Sequence, residues 1–469
     1  MKRPNIILIS IDTLRQDHVS CYGYYKTTTP NIDRLASEGT IYKNNFSTGV
    51  WTPPGHASML TGLYVSEHGV YGERRLSDDI PTIATILKEN GYQTAGFVNN
   101  SQVGALVGFD KGHDTFVEVW KGISSRSKVE RYFKGAIRQV KKRLGYEDMG
   151  ASRTNELVKE WILNTIDPNR PFYLFIHYIE PHNPLIPPQP YKDRYLSDKR
   201  FIDVDRDKIK KVAHNPLICF TEMITLNPVE IDILKALYDA EIEYTDSKIG
   251  EIMNVLKEKD IYDNSMIMIT SDHGEHFGEH NLWSHTASLY NEILHIPLII
   301  KYPKGIECKK EVYHYTQSID IFPTVMDIVS ISKKEVMDHS GVSLVHNNNG
   351  NKFHDFVFAE WEGRIPYFVQ TRLKDPQSSL NAGRFTNKMW TIIGEQYKYI
   401  LTSDGKEELY NVKKDKSEID NLIDQNQEDA DMMKKKLERW MSEAKRNSDN
   451  DRRVVDDEVR KNLEGLGYL

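Results

Sequence analysis

The 469-residue chain holds only three cysteines, Cys21, Cys219 and Cys308, odd in number and far apart. That excludes a disulfide framework and a closely spaced zinc-thiolate set, and it fits a reducing compartment. No apolar run reaches membrane-spanning length. The first strand begins almost at Met1, which leaves no room for a signal peptide, so the expected location is the cytoplasm. Positive charge is not in excess either: 61 Lys and Arg against 68 Asp and Glu give a net charge of −7. This argues against a general polyanion binder, and no nucleic-acid partner is expected. There is no internal repeat, and only Asn347-Asn348-Asn349 hints at low complexity. With 39% hydrophobic and 28% charged residues, the chain reads as a globular protein, too long for one core and about right for a large domain plus a smaller one.

What is present is a series of buried strands that end in polar chemistry. Asn5–Ile11 (NIILISI), Phe172–Tyr178 and Met266–Ser271 are continuous apolar runs of the kind found in central parallel strands. Thr94–Val98 and Ile296–Tyr302 read as further strands, and Phe356–Glu360 as the last strand of the large domain. Helices are expected after Thr29-Pro30 up to Gly39, after Pro81 up to Gly91, over 228–256, and from Asp320 through Ile328. From about Pro366 short alternating segments (389–393, 396–401 and 408–410) read as antiparallel strands, followed by an amphipathic helix over 429–445. The predicted division is therefore 1–365 and 366–469. The mixed, proline-containing residues 186–230 look like an insertion over a sheet edge. Residues 121–143 carry nine Lys or Arg against one Glu, which is either a solvated helix face or an attractor for an anionic partner.

The candidate chemistry lies at the strand ends. Asp12 follows the first strand, His182 follows the Phe172 strand, and Asp272-His273 follow the Met266 strand, where α/β sheets place their ligands. Between them in sequence, Trp51-Thr52-Pro53-Pro54-Gly55-His56 forms a junction into a helix that Gly62 closes. Thr52 is thus either a helix cap or a nucleophile facing an anion at a helix N-terminus. Asp12, Asp272, His273 and the Thr52 oxygen are a plausible ligand set for one divalent cation.

These motifs, taken together, resemble the sulfatase family of the alkaline phosphatase superfamily along nearly the whole chain. The carrying residues are Ile11-Asp12-Thr13-Leu14-Arg15, Thr29-Pro30-Asn31-Ile32-Asp33-Arg34-Leu35-Ala36, the Thr52 to Gly62 stretch, His177 to Pro184, Ser271-Asp272-His273-Gly274-Glu275, and Tyr397-Lys398-Tyr399 with Glu408-Leu409-Tyr410. The resemblance implies an α/β sandwich around a mostly parallel sheet, with a small C-terminal antiparallel sheet and helix. It implies a metal held by Asp12, Asp272 and His273, with Thr52 at the nucleophile position and His182 where a histidine serves the leaving group.

The departures from that family narrow the chemistry. Thr52 stands where sulfatases carry the cysteine or serine that becomes formylglycine, and His56 stands where they carry an arginine. Threonine cannot give that aldehyde because its β-carbon bears a methyl group, so no formylglycine is expected. Thr13 replaces a second metal-binding aspartate, and Asn99 and Ser101 replace a sulfate-binding lysine and a histidine. Threonine nucleophiles occur instead in phosphodiesterase, phosphonate-hydrolase-like and phosphoethanolamine-transferase relatives; in the last group a histidine follows where His285 falls here. The expected activity is a metal-dependent hydrolase of phosphate, phosphonate or sulfate esters, with phosphorus esters preferred. A phosphoryl-type transferase, a true sulfate ester hydrolase and a non-catalytic relative are the alternatives. Expected roles are Thr52 as nucleophile and metal ligand, His182 for the leaving group, His285 and His56 for the anion, and Asn99 as a substrate donor. One divalent ion (Mn, Mg, Zn or Ca) is implied and a second is allowed. The expected substrate is a small-molecule, glycan-linked or lipid-linked anionic ester, and a homo-oligomer is compatible with the sequence.

Overall fold

The computed structural model describes residues 3–121, 145–220, 224–332, 336–345, 353–366, 369–370, 383–444 and 457–466. The three apolar runs do form the centre of the molecule. Strands β1 (Asn5–Ile11), β5 (Phe172–Tyr178) and β6 (Ser265–Thr270) are wholly buried and lie side by side. Ile7 of β1 is registered with Leu174 on one side and Ile267 on the other, all three strands being parallel. Around them lie β2 (Thr40–Phe46), β3 (Gln93–Val98), β4 (Thr115–Glu118), β9 (Leu298–Lys301) and β10 (Glu311–Gln317), making an eight-stranded sheet in the order β10-β2-β9-β6-β1-β5-β3-β4, while β7 (His276–Phe277) and β8 (Trp283–Ser284) pair with each other apart from it. Only β9 is antiparallel to its neighbours, so the carboxyl ends of β1, β2, β3, β5 and β6 share one edge.

Burial on both faces explains why these strands carry no alternation. Ile7, Ile9 and Ile11 face a layer made by the helices Pro30–Glu38, Ala151–Asn164 and Pro228–Glu258. Ile6 and Leu8 face the opposite layer, which contains the helices Thr52–Thr61, Ile83–Glu89 and Ile321–Ile328. Strands β2, β4 and β10 were not evident in the sequence. They are short, or lie at an edge or near it, and carry polar residues such as Lys43, Asn44 and His314 that mask a strand signal. The helix Ala151–Asn164 was equally hidden, because Thr154 and Asn155 sit on its buried stripe.

Two expectations are corrected. Residues 186–220 do not cover a sheet edge: Phe201, Ile209 and Val212 pack into the same core as Ile233 and Leu237 of the long helix. The strand expected to be the last of the large domain, β11 (Val357–Trp361), instead opens the small sheet, pairing antiparallel with β12 (Met389–Ile393). Its sequence, apolar apart from Glu360, fixes burial but not the partner strand. The small sheet continues through β13 (Tyr397–Thr402) and β14 (Glu407–Asn411). The helix Gln427–Glu443 covers one of its faces through Ala430, Met433 and Leu437. Its other face meets Val50, Trp51, Ile293 and Leu294 of the large unit. A last helix, Asp457–Gly465, returns to the large sheet, where Val459, Leu463 and Leu466 pack with Ile179. No helix among the described residues is long and apolar enough to cross a membrane. Residues 122–143 of the basic segment lie outside the described residues.

A buried ion pair inside the small unit grips Asn291 of the large one, whose backbone N–H donates to Glu418 Oε2 at 2.7 Å. Lys398 on β13 lies 2.6 Å from Glu418, both side chains fully buried, and Lys398 also donates to the Asn291 side chain at 3.1 Å. Removing one partner strands a charge away from water, which costs about 3–5 kcal/mol, whereas replacing both by apolar groups is close to neutral. Lys398→Met is therefore expected to lower the urea midpoint of unfolding clearly, and Lys398→Met with Glu418→Met to recover most of the loss. A double variant no more stable than the single one would contradict this.

Candidate active site

Asp12 leaves the end of β1 fully buried. The chain then turns sharply: Thr13 has a φ of 57°, a left-handed conformation that costs a β-branched residue about 1–3 kcal/mol. The turn aims the Thr13 backbone N–H at Asp272 Oδ1, 3.3 Å away, and the Tyr238 hydroxyl holds the Thr13 carbonyl at 2.6 Å. Asp272 and His273 follow the end of β6, likewise fully buried. Thr52 begins its helix directly after the extended Trp51, with two prolines in the first turn and Gly62 closing it at a φ of 74°. That helix approaches closely, since a Cβ on Gly55 would lie 2.7 Å from the Asp272 carbonyl oxygen. Only glycine permits the approach.

The structure thus brings Asp12, Thr52, Asp272 and His273 to one point. Thr52 Oγ1 is 3.3 Å from His273 Nε2, which is itself 3.3 Å from Asp272 Oδ2 and 3.8 Å from Asp12 Oδ1. Ligand atoms of Asp12, Asp272 and His273 all lie within 4.8 Å of one another. His273 Nδ1 donates to the Gly274 carbonyl at 2.9 Å, because a carbonyl can only accept, and so Nε2 is left as the basic nitrogen a metal requires. Asp12 Oδ1 and Asp272 Oδ2 are buried and make no hydrogen bond. Two carboxylate oxygens without donors and one imidazole nitrogen aimed at the same space fit a divalent cation. Burial, helped by the Asp272 charge, pushes the Asp12 carboxyl up to about 6. Asp272 goes the other way, to well below the usual range; burial opposes the shift, but the His273 and His56 rings outweigh it.

The histidines divide into two groups. His182 and His285 border this cluster, their ring centres 5.0 Å apart, and the His285 ring lies 4.6 Å from that of His273. Burial lowers both, His285 to about 4, so both are neutral at physiological pH. His182 Nδ1 donates to the Asn183 carbonyl at 2.6 Å, and His285 Nδ1 faces Glu275 Oε2 at 3.2 Å. His56, expected to steady an anion, is turned inward instead. Its Nδ1 donates to the Thr52 carbonyl at 2.9 Å and lies 3.3 Å from Asp272, while its Nε2 lies 2.9 Å from Ser10 Oγ. It braces the Thr52 turn against the Asp272 loop.

Asn99, expected to face the substrate, donates its amide to the Met149 carbonyl at 2.5 Å. The next residue, Asn100, takes the inward place and donates to Asp12 Oδ2 at 3.0 Å. Two adjacent asparagines at a strand end donate in different directions, and nothing in their order distinguishes them. Also unforeseen were His177, fully buried and 3.4 Å from Asp12 Oδ2, and Glu275, which burial pushes up to about 7. A histidine in an otherwise apolar strand, and the acid closing the Asp-His-Gly-Glu run, were the signals available. Ser101 faces the last helix, its backbone N–H donating to Asn462 Oδ1 at 3.2 Å.

Fold and site together define an ester hydrolase of the α/β class, with its polar residues gathered at the carboxyl edge of a mostly parallel sheet. The chain belongs to the sulfatase family, whose profile matches residues 4–331. It is similar to the uncharacterized sulfatase YidJ of Escherichia coli K12, at 25% identity over 458 residues, covering 90% of this chain and 84% of that one. An arylsulfatase of Clostridium perfringens is 25% identical across 90% of each chain. The crystal structure of the phosphonate monoester hydrolase of Agrobacterium radiobacter superposes with a TM-score of 0.72 at 20% identity, covering 94% of this chain and 95% of that one.

The geometry predicts the behaviour of three variants. Asp272→Asn should lose most bound cation in elemental analysis, since a ligand and a charge go together. Asn100→Ala should weaken metal binding about 10–100-fold through Asp12, the usual effect of losing a partner behind a ligand. Asn99→Ala should leave metal affinity as it is. Full metal content in the first variant, or equal effects in the two asparagine variants, would refute this arrangement.

Proposed function

We propose that this protein is a metal-dependent ester hydrolase with Thr52 as nucleophile, acting on phosphorus esters in preference to sulfate esters. The observation that carries the reading is the Thr52 hydroxyl, at the first turn of a helix and 3.3 Å from His273, beside two buried carboxylates. Asp12, Asp272 and His273, with the Thr52 oxygen, would hold one divalent ion; two carboxylates and one imidazole suit Mn, Mg, Zn or Ca. Bound there, the ion would acidify the hydroxyl and neutralise charge on the attacked ester.

Thr52 Oγ attacks phosphorus, the bond to the leaving oxygen breaks, and a phosphoryl-threonine forms. His182 has its Nδ1–H committed to Asn183, so Nε2 is its basic nitrogen. It takes the threonine proton and returns it to the leaving oxygen, ending neutral as it began. Water then attacks phosphorus, the Thr52–phosphorus bond breaks, and the hydroxyl is restored. His56 holds the Thr52 carbonyl and thereby the direction of the attack.

The preference for phosphorus follows from the intermediate. A formylglycine hydrate expels sulfate from a geminal diol without a second attack at sulfur. A threonine sulfate has no such exit, whereas a phosphoryl-threonine is open to attack by water. The half-buried cysteines Cys21, Cys219 and Cys308 lie elsewhere, so none takes the place of the formylglycine precursor. The likeness to a phosphonate monoester hydrolase supports this direction, and the sulfatase names among the relatives mark the competing one.

On matched nitrophenyl esters, with several metals supplied in turn, kcat/KM should be higher for phosphodiester or phosphonate than for sulfate. Thr52→Ser should retain activity, while Thr52→Ala should lose roughly a thousandfold or more, as nucleophile removal does elsewhere. A clear preference for sulfate with an unmodified Thr52 would return the protein to ordinary sulfate ester chemistry.

A further inference from the structure

A cavity of about 700 Å³ lies between residues 15–26, residues 194–201 and the helix Pro228–Glu258. That is within the range of ligand-binding clefts, about 300–1,000 Å³. None of Asp12, Thr52, Asp272 and His273 is among its described lining residues, so it is a place apart from the cluster they form. No leucine, isoleucine, valine or methionine lines it either; its wall is tyrosine, histidine and charged side chains, with Phe201 and Ala236. Such a wall does not suit a lipid or an apolar peptide side chain, which gain their affinity from aliphatic contact. The cations on it, Arg15, Lys26, Arg194, Arg200 and Lys235, are each already paired with an aspartate or glutamate. The cavity therefore has no spare positive charge to offer an anion. Its carboxylates do have capacity left, since each can accept about four hydrogen bonds, and Asp17 and Asp232 are partly open to solvent.

His18 is only 4% exposed and borders the cavity, its ring centre 4.6 Å from that of Tyr24 and 5.0 Å from that of Tyr238. Its Nδ1 donates to Asp239 Oδ1 at 2.6 Å, and no described residue bonds Nε2. In the neutral ring that nitrogen is an acceptor, and a ligand hydroxyl would satisfy it. Asp239 is fully buried and also accepts from the Tyr24 hydroxyl at 2.8 Å and from Lys26 at 2.6 Å. One carboxylate thus fixes three side chains of the wall before any ligand arrives, which lowers the cost of binding. The Lys26 ammonium lies in turn 5.3 Å and 5.6 Å from the ring centres of Tyr25 and Tyr195. Tyr25 is 81% exposed. A ring so open contributes little to folding, and its electron-rich face suits the C–H groups of a sugar ring.

We propose that this cavity binds a neutral polyhydroxylated ligand, a sugar unit. His18 Nε2 and the Asp17 and Asp232 carboxylates accept from its hydroxyl groups, and the Tyr25 ring stacks on its C–H face. No bond is made or broken there, and the assignment is independent of the reading of Thr52 as a nucleophile.

The test is saturation-transfer NMR on the full chain with glucose, maltose, cellobiose and lactose as probes, in wild type and in Tyr25→Ala, Tyr25→Phe and His18→Phe. At least one of these sugars should bind wild type saturably, with a Kd in the ~millimolar range. Tyr25→Ala, at an exposed position where folding is not at stake, should weaken that binding about fivefold or more. Tyr25→Phe keeps the ring and should keep the affinity. His18→Phe keeps a ring but removes Nε2, and should weaken binding several-fold with Tyr25 intact. Binding by none of the four sugars, or binding that Tyr25→Ala leaves unchanged, would overturn the assignment. Glucuronate held through Tyr25 more tightly than glucose would overturn the neutral ligand, because it would show positive charge to spare.

Discussion

Asp12 and Asp272 are carboxylates buried within a few ångströms of each other, and the described protein around them supplies only histidines to balance them. At 4.8 Å and an effective dielectric near 20, two such charges repel by roughly 3–4 kcal/mol, before the larger cost of taking each out of water. The fold spends much of its regular structure on bringing them together. Parallel β1 and β6 deliver one each, and a strained Thr13 and a glycine at position 55 let the two loops and the Thr52 helix close to contact distance. A cation is the economical resolution, and its binding then becomes part of the stability of the folded state.

The sequence was most legible where burial was complete. Seven-residue apolar runs such as NIILISI declared the central strands, and a polar residue at the end of each declared the site. It was least legible at edges and on faces shared between units. Lys43, Asn44 and His314 concealed β2 and β10, and the apolar β11 gave no hint that it belonged to the small sheet. Within the site, the ligand set was readable because it sits at strand ends in a family-like order. Side-chain direction was not readable, since nothing in Asn99-Asn100 says which amide turns to Asp12, and nothing in the Thr52 turn says that the His56 ring points down to Ser10. Both depend on loops arriving from elsewhere in the chain.

The departures from the sulfatase pattern make physical sense as a set. In the proposed mechanism, a threonine in place of an oxidisable residue calls for a second attack at the central atom, and a phosphoryl-threonine is open to that attack by water. Once His56 replaces an arginine and turns inward, the first helical turn braces the loops behind the cation site rather than holding the anion.

The central claim is that the reaction passes through a covalent bond to Thr52, and the stereochemical course at phosphorus tests it most directly. A phosphorothioate diester made as a single stereoisomer at phosphorus, hydrolysed by the metal-loaded protein in oxygen-18 water, reports the number of in-line displacements whether or not an intermediate accumulates. Two displacements, first by Thr52 and then by water, give net retention of configuration, which is the result expected here. Net inversion would mean that water attacks phosphorus directly, and it would remove Thr52 from the role of nucleophile.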